Sequence, residues 1–207
     1  MSCRRFPLAL SASLLAGAIA FAGSAFAADK PAAKKDAAAE MGGMEMPKAG
    51  PEHAALMKMV GKWNGTVKMT MAPGSEPMVM PCVEDVTSIC NGMFIETVSK
   101  GTGPMSFEGH GVTGYDQGKK KYTGFWCDSW GTGMMMSEGT MDAKGTMTCS
   151  SSMTDPTGMV QNFMMQDAMS DNNTRMMKMW MGKDMSGPPM MEITYTRVMG
   201  GTESAHK

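Results

Sequence analysis

Alternation of apolar and polar residues is the clearest pattern in the chain. Trp63, Val67, Met69 and Met71 occupy odd-numbered positions, whereas Lys, Asn or Thr fills the even-numbered positions beside them. The same alternation runs through residues 146–153. A period of two is typical of a β-strand with one buried face. Both segments are therefore predicted to be strands.

Further apolar runs follow at intervals of about ten residues, and turn-forming sequences such as Asn91-Gly92 separate many of them. Ten short strands with tight connections predict an antiparallel meander that closes to remove its edges. Before them, residues 51–60 have a helical period and end at Gly61. The predicted fold is all-β, an up-and-down antiparallel barrel of about ten strands with a short N-terminal helix. The further strand segments are 78–90, 93–99, 106–115, 121–130, 134–141, 159–168, 174–181 and 190–198.

Residues 1–27 have the features of an export signal. They begin with Arg4 and Arg5, continue through an apolar stretch and end in Ala25-Phe26-Ala27, a small-x-small cleavage sequence. The apolar stretch is about 16 residues long, shorter than the roughly 20 that a transmembrane helix requires. We therefore expect cleavage after Ala27, a periplasmic or secreted protein, and no membrane insertion after signal cleavage.

The sequence predicts three further regions. Residues 28–50 contain no β-branched or aromatic residue, so they are predicted to form a flexible tail. Residues 51–199 are predicted to form the barrel domain, and 200–207 a polar C-terminal tail.

Composition adds one unusual property. The chain has 30 Met among 207 residues, and Leu56 is the only leucine after residue 27. The formal net charge is -1 and no long basic run occurs, which argues against a nucleic-acid partner.

The chain contains the short motifs Glu52-His53, Gly61-Lys62-Trp63, Gly114-Tyr115-Asp116, Glu138-Gly139-Thr140-Met141-Asp142 and Tyr195-Thr196-Arg197. These motifs resemble those of domain-of-unknown-function family 1579, a family that is similar to lipocalins in fold and commonly exported by bacteria. The resemblance implies a lipocalin-like barrel in which Arg197 of the last strand packs over Trp63 of the first strand and closes the barrel bottom. It implies no activity, because none is generally assigned to the family.

The leading functional hypothesis is binding of Cu(I) or another soft metal ion. Met41, Met44 and Met46 lie in a segment with no core to fill, and thioether sulfur is a soft donor that selects Cu(I). His53 and Met57, four residues apart on one helical face, are candidates for further ligands.

The alternative is that the barrel interior carries a small apolar ligand. Methionines on the apolar faces of the strands would line such an interior or simply fill the core in place of leucine. A third hypothesis is oxidant scavenging by reversible sulfoxide formation. The candidate ligand-binding residues are Met69, Met71, Met147, Met153, Met177 and Met179.

The sequence offers no catalytic residue, so we expect a non-enzymatic binding protein. The carboxylates Glu84, Asp85, Glu96, Glu108 and Asp128 are scattered without a spacing that favours acid-base chemistry. His110 lies between Gly109 and Gly111, where the glycines indicate either a bulge or a closely approaching ligand.

The exported chain would contain Cys82, Cys90, Cys127 and Cys149 in an oxidising compartment. Three pairings are possible, and four free thiols are a further alternative. A bond between Cys82 and Cys90 is disfavoured if one straight strand contains both, because its ends would be too far apart.

Overall fold

The computed structural model describes residues 46–72, 74–103 and 106–199. The predicted signal peptide 1–27, the tail residues up to 45 and the C-terminal tail 200–207 lie outside the described residues. Within the described part of the chain, no helix has the length and apolar character needed to cross a bilayer.

One short helix precedes ten antiparallel strands that close into a barrel. This confirms the fold predicted from the alternation of apolar residues. The helix is α1 (Pro51–Met57), with proline at its start, where its missing N–H costs nothing. The strands are β1 (Gly61–Met69), β2 (Met78–Ile89), β3 (Phe94–Gly101), β4 (Glu108–Asp116), β5 (Lys121–Asp128), β6 (Met135–Met141), β7 (Thr146–Thr154), β8 (Val160–Asp171), β9 (Thr174–Met181) and β10 (Met191–Arg197).

Each strand pairs with its neighbours in sequence, and β1 pairs with β10 to close the sheet. In this closing pair, Trp63 lies opposite Arg197 and Val67 opposite Ile193. Trp63, Val67 and Ile193 are buried, whereas the intervening Thr194 is exposed. Alternation along each strand therefore separates an inner face from an outer face.

Helix α1 closes the end of the barrel at which β1 begins. Leu56 of the helix is completely buried in one core with Trp63. The Trp63 Nε1 donates a hydrogen bond to the Met59 carbonyl at 2.9 Å, and the Tyr122 hydroxyl donates one to the Glu52 carbonyl at 3.1 Å. These bonds fix the helix against the first and fifth strands.

Arg197 completes this closure. Its Cζ lies 4.1 Å from the centroid of the Trp63 ring, which is the contact that the lipocalin resemblance implies. The guanidinium also donates to the carbonyls of Val60 at 2.6 Å and Lys58 at 2.7 Å, so it satisfies acceptors at the end of α1. The last strand, the first strand and the helix are thereby joined at one point.

Candidate functional site

The barrel encloses a cavity of about 380 Å³ that reaches the end opposite α1. Methionines and aromatic residues supply most of the large side chains of its wall, with Glu84, Asp167 and Arg175 deeper inside and Asp128 near the mouth. At the open end, Phe107, Trp130 and Met190 from three inter-strand connections line its mouth. The barrel is thus closed at one end and hollow toward the other.

A continuous row of sulfur-bearing residues crosses five neighbouring strands on the cavity wall. Cys149 lies opposite Met165, Met165 opposite Met179, Met179 opposite Met191, and Met191 opposite Met69. All five line the cavity. Directly opposed residues have Cβ atoms about 4.5 to 5.5 Å apart, so neighbouring side chains in this sulfur row contact or nearly contact one another.

The opposite wall is aromatic because two glycines leave room for Trp126. A Cβ atom at either Gly109 or Gly111 would overlap the Trp126 indole ring. The space beside these glycines is therefore occupied by a side chain of the protein, whereas the sequence suggested a bulge or a ligand. His110 between them points outward and pairs with Glu108, 3.0 Å from its Oε1.

Three aromatic rings continue from this wall to the cavity mouth. The Phe107 ring stacks with Trp126 at a centroid distance of 6.5 Å and meets Trp130 edge-on at 4.9 Å. Asp128 holds both indole-bearing residues, because it accepts hydrogen bonds from the Trp126 Nε1 at 3.0 Å and the Trp130 backbone N–H at 2.9 Å.

The deep end of the cavity is polar. Glu84, Asp167, Arg175 and Tyr195 face one another there, and we call them the polar floor. Arg175 is only 3% exposed and forms an ion pair and hydrogen bond with Glu84. The Tyr195 hydroxyl donates to the other Glu84 oxygen at 2.9 Å, and the Arg175 Cζ lies 4.1 Å from the Tyr195 ring centroid. Both oxygens of Glu84 are therefore engaged.

Asp167 is held less tightly than Glu84. Its Oδ1 lies 3.6 Å from the Arg175 Nε, which is too long for a hydrogen bond. That Nε is buried and has no hydrogen-bond partner among the described residues. Burial raises the pKa of Asp167 from 3.8 to about 6, although the Arg175 charge opposes this rise. Burial also tends to lower the pKa of Arg175, but Asp167 and Glu84 raise it above its ordinary value, so Arg175 stays charged.

The four cysteines in the described part of the chain are free thiols. Cys82 and Cys149 face the cavity, and burial raises the pKa of each to about 11. Both remain protonated near neutral pH, and a protonated thiol is a poor nucleophile. Cys90 is exposed just beyond the end of β2.

The structure places five of the six predicted ligand-binding methionines on the cavity wall. Met71 is the correction, because β1 ends at Met69 and Met71 is 74% exposed in the following connection. Its alternation continued beyond the last residue that pairs with β2 and β10. The five that line the cavity are Met69, Met147, Met153, Met177 and Met179.

The predicted metal ligands, unlike the predicted ligand-binding methionines, do not come together at one place among the described residues. Met41 and Met44 lie outside the described residues, and Met46 is 69% exposed. His53, predicted as a ligand, is only 2% exposed, and its Nδ1 accepts a hydrogen bond from the Gly50 N–H at 3.0 Å. This bond caps the start of α1, and the imidazole packs edge-on against the Tyr115 ring at a centroid distance of 5.8 Å.

Met57, the other helical candidate ligand, packs partly buried against the core of the closed end. Across the described residues, no group of three or more His, Cys, Asp or Glu side chains is arranged to hold a metal ion. The thioether hypothesis for the tail stays a prediction.

The polar floor is not evident from the sequence. In the sequence, Glu84 is one of several scattered carboxylates, and no motif distinguishes Asp167 or Arg175. A signal is nevertheless present, because each charge occupies a position on the inner face, as Glu84 does between Cys82 and Val86. A charged residue at an apolar-face position of a strand indicates a buried ion pair.

Comparisons with known proteins match the chain to one family. A family model described as "Protein of unknown function (DUF1579)" matches residues 48–197, which confirms the resemblance to family 1579. Comparison with curated proteins finds no match. Among solved structures, the chain is similar to an S-type phycobiliprotein lyase from Guillardia theta, at 12% identity and a TM-score of 0.49. The similarity covers 74% of this chain and 100% of that chain.

This comparison contradicts the prediction of a non-enzymatic protein, since the similar structure is that of a lyase. We withdraw that prediction. We carry neither the activity nor a substrate of the lyase over to this chain.

Proposed function

The chain belongs to the DUF1579 family of proteins of unknown function, and we propose that it binds a small, largely apolar molecule inside its barrel. The observation that carries this proposal is the cavity of about 380 Å³. Pockets for small molecules measure about 300 to 1,000 Å³ and combine apolar walls with a few polar groups. The cavity has both: its charged groups lie at the deep end and the mouth, and Thr97, Thr113 and Ser137 add hydroxyl groups to its wall.

The composition of the wall supports an adaptable site. Methionine has an unbranched, polarizable side chain, and Met-rich surfaces repack around guests of different shape. Opposite the sulfur row, the flat ring of Trp126 offers an aromatic face. Such a wall favours an extended apolar or aromatic guest over a polar one.

Binding of Nile red, a neutral dye whose emission changes in apolar surroundings, tests the proposal. Met165→Trp places a larger ring in the cavity, and we expect it to weaken dye binding by at least about tenfold. Met164→Trp is the matched control, because Met164 is the adjacent residue on β8 and points to the other face. Equal binding by both variants would contradict a site in the barrel.

A soft metal ion is the second candidate, and the sulfur row favours it. Cys149, Met165, Met179, Met191 and Met69 bring one thiol and four thioethers side by side within the barrel. Soft ligands of this kind select Cu(I). The tail hypothesis, with Met41, Met44 and Met46 as ligands, remains beside it.

A titration with Cu(I) against a competing chelator separates these two metal hypotheses. One variant changes Met41, Met44 and Met46 to Leu, and the other changes Met165, Met179 and Met191 to Leu. Loss of binding in the first assigns the metal to the tail, and loss in the second assigns it to the barrel. Equal weak binding by the wild-type protein and both variants would overturn both.

We also propose that the protein is exported, with residues 1–27 removed. Their charged start, apolar stretch and Ala25-Phe26-Ala27 ending support this. Amino-terminal sequencing of protein from a periplasmic fraction is expected to begin at Ala28. A chain that starts at residue 1 and stays in the cytoplasm would contradict export.

A further inference from the structure

The charged side chains that line the cavity are unequal in sign. Glu84, Asp128 and Asp167 contribute three carboxylates, whereas Arg175 contributes one guanidinium. Glu84 is neutralised by its ion pair with Arg175. The cavity is therefore negative when all four groups are ionised, and an anionic guest would meet net repulsion.

Asp167 is the carboxylate that is available to a guest. Asp128 already accepts from Trp126 and Trp130 at the mouth. Asp167 has the long contact with Arg175, and within the described residues no hydrogen bond ends on its oxygens. Its side chain is 16% exposed, so it is accessible from the cavity that it lines.

The position of Asp167 fixes which end of a guest it would meet. On β8 it lies two residues beyond Met165, toward the closed end of the barrel, and directly opposite Met147 and Met177. A guest that enters at the open mouth passes the sulfur row first and reaches Asp167 last. A buried carboxylate with unused acceptor capacity is best satisfied by a charged N–H donor.

We propose that the ligand is a cationic amphiphile, an apolar molecule with an amine or other protonated nitrogen at its inner end, which pairs with Asp167. This inference rests on the proposed function, because it names the chemical class that the cavity takes. The aromatic faces of Phe107 and Trp126 near the mouth favour entry of the same charge, since a cation is attracted to the face of an aromatic ring.

The test is displacement of Nile red by decylamine, decanol and decanoate at about pH 8. These competitors share one alkyl chain and differ in head group, which is positive, neutral and negative at this pH. With the wild-type protein, we expect decylamine to act at a concentration at least about tenfold lower than decanol, and decanoate to be the weakest. Decanol as effective as decylamine, or decanoate as the best competitor, would overturn the proposal without any variant.

Asp167→Asn assigns the preference to one side chain. We expect this variant to bind decanol as the wild type does and to lose the advantage of decylamine. Glu192→Gln is the matched control, because it removes a carboxylate from the outer face of β10, where Glu192 pairs with Lys178, and should retain the preference. An amine preference that persists in Asp167→Asn would overturn the role of Asp167.

The same experiment separates failure of this inference from failure of the proposed function. If Nile red binds and decanol displaces it without any preference for the amine, the cavity is a binding site but not for cations. If neither the dye nor any of the three competitors binds the wild-type protein, the proposed function itself is overturned.

Discussion

The two ends of the barrel are built from different apolar residues. At the closed end, branched and aromatic side chains are almost completely buried: Leu56, Trp63, Val86 and Ile95. At the open end, the exposed apolar side chains are mostly methionines in or beside the inter-strand connections, joined by one tryptophan and two valines. They are Met71, Val79, Trp130, Met134, Met159, Val160, Met181 and Met185.

The two ends of the barrel therefore have different roles, one in stability and the other in binding. Branched and aromatic side chains have few rotamers and form one well-defined packing, whereas methionine adapts to irregular shapes. The closed end therefore determines the fold, and the open end leaves room for a guest. Methionine predominates among the exposed apolar residues at the end where a fixed shape is not required.

Removal of Trp63 is expected to have the largest effect. Trp63→Ala deletes a completely buried ring that contacts Arg197 and bonds to Met59, and should lower the free energy of unfolding by about 3 to 5 kcal/mol. Met159→Ala at the open end, where Met159 is 64% exposed, should change it by less than about 0.5 kcal/mol. Urea unfolding measures both, and similar losses would erase the distinction between the two ends.

Loss of Glu84 tests whether the polar floor belongs to the stable part of the molecule. Glu84→Ala leaves Arg175 without its closest partner in a buried position, and should cost about 3 kcal/mol in unfolding free energy. Glu192→Ala breaks the surface pair with Lys178 and should cost less than about 1 kcal/mol. Chemical denaturation compares the two variants. An equally small cost for Glu84→Ala would contradict a stabilising role for the polar floor.

Asp167, in the polar floor, makes the free energy of unfolding depend on pH. Its pKa of about 6 in the folded protein lies above the ordinary value of 3.8, so the folded state keeps this proton where the unfolded chain has lost it. The free energy of unfolding should therefore fall as pH rises from about 4 to about 6, by at most about 3 kcal/mol from this group.

Unfolding of Asp167→Asn over the same pH range should lack this contribution. Asp155→Asn is the control at the open end, because hydrogen bonds from Thr157 and Gln161 lower the pKa of Asp155 to about 2. That variant should keep the fall between pH 4 and pH 6. An identical pH profile for Asp167→Asn and the wild type would exclude the titration of Asp167 as its cause.

Oxidation by dilute peroxide is expected to differ between the two ends in rate, with little effect on the free energy of unfolding. Exposed methionines such as Met71, Met159 and Met181 should form sulfoxide about an order of magnitude faster than the buried Met135 and Met179. Peptide mass spectrometry over time measures the rates. Equal oxidation rates in both groups would show that peroxide reaches the methionines of the cavity wall as easily as those of the open-end connections.

The fold was predictable because one physical signal recurs along the chain. Strand alternation depends on local sequence, and nearly every predicted strand lies within a few residues of its observed limits. Met71 shows the limit of that signal, since an alternating residue stops being a strand residue when no partner strand extends to it. Gly109 and Gly111 show a second limit, because the space beside them is filled by Trp126 of β5, which local sequence does not reveal.

The candidate site was only partly predictable. Alternate residues of a strand point to the same face, so the sequence alone predicts that Met177 and Met179 face the barrel interior. Glu84 and Arg175 are 91 residues apart, and their contact depends on barrel closure and register. Burial of His53 likewise depends on the docking of α1, which a helical period does not reveal.

The strand order also constrains the folding kinetics of the domain. In the described barrel, every strand pair joins consecutive strands except that of β1 with β10. Hairpins between consecutive strands form quickly because their loops are short, whereas the closing pair brings together residues as distant as Trp63 and Arg197. A nascent chain therefore remains an open sheet with two unpaired edges until its tenth strand is available. Until then, those edges are where self-association competes with folding.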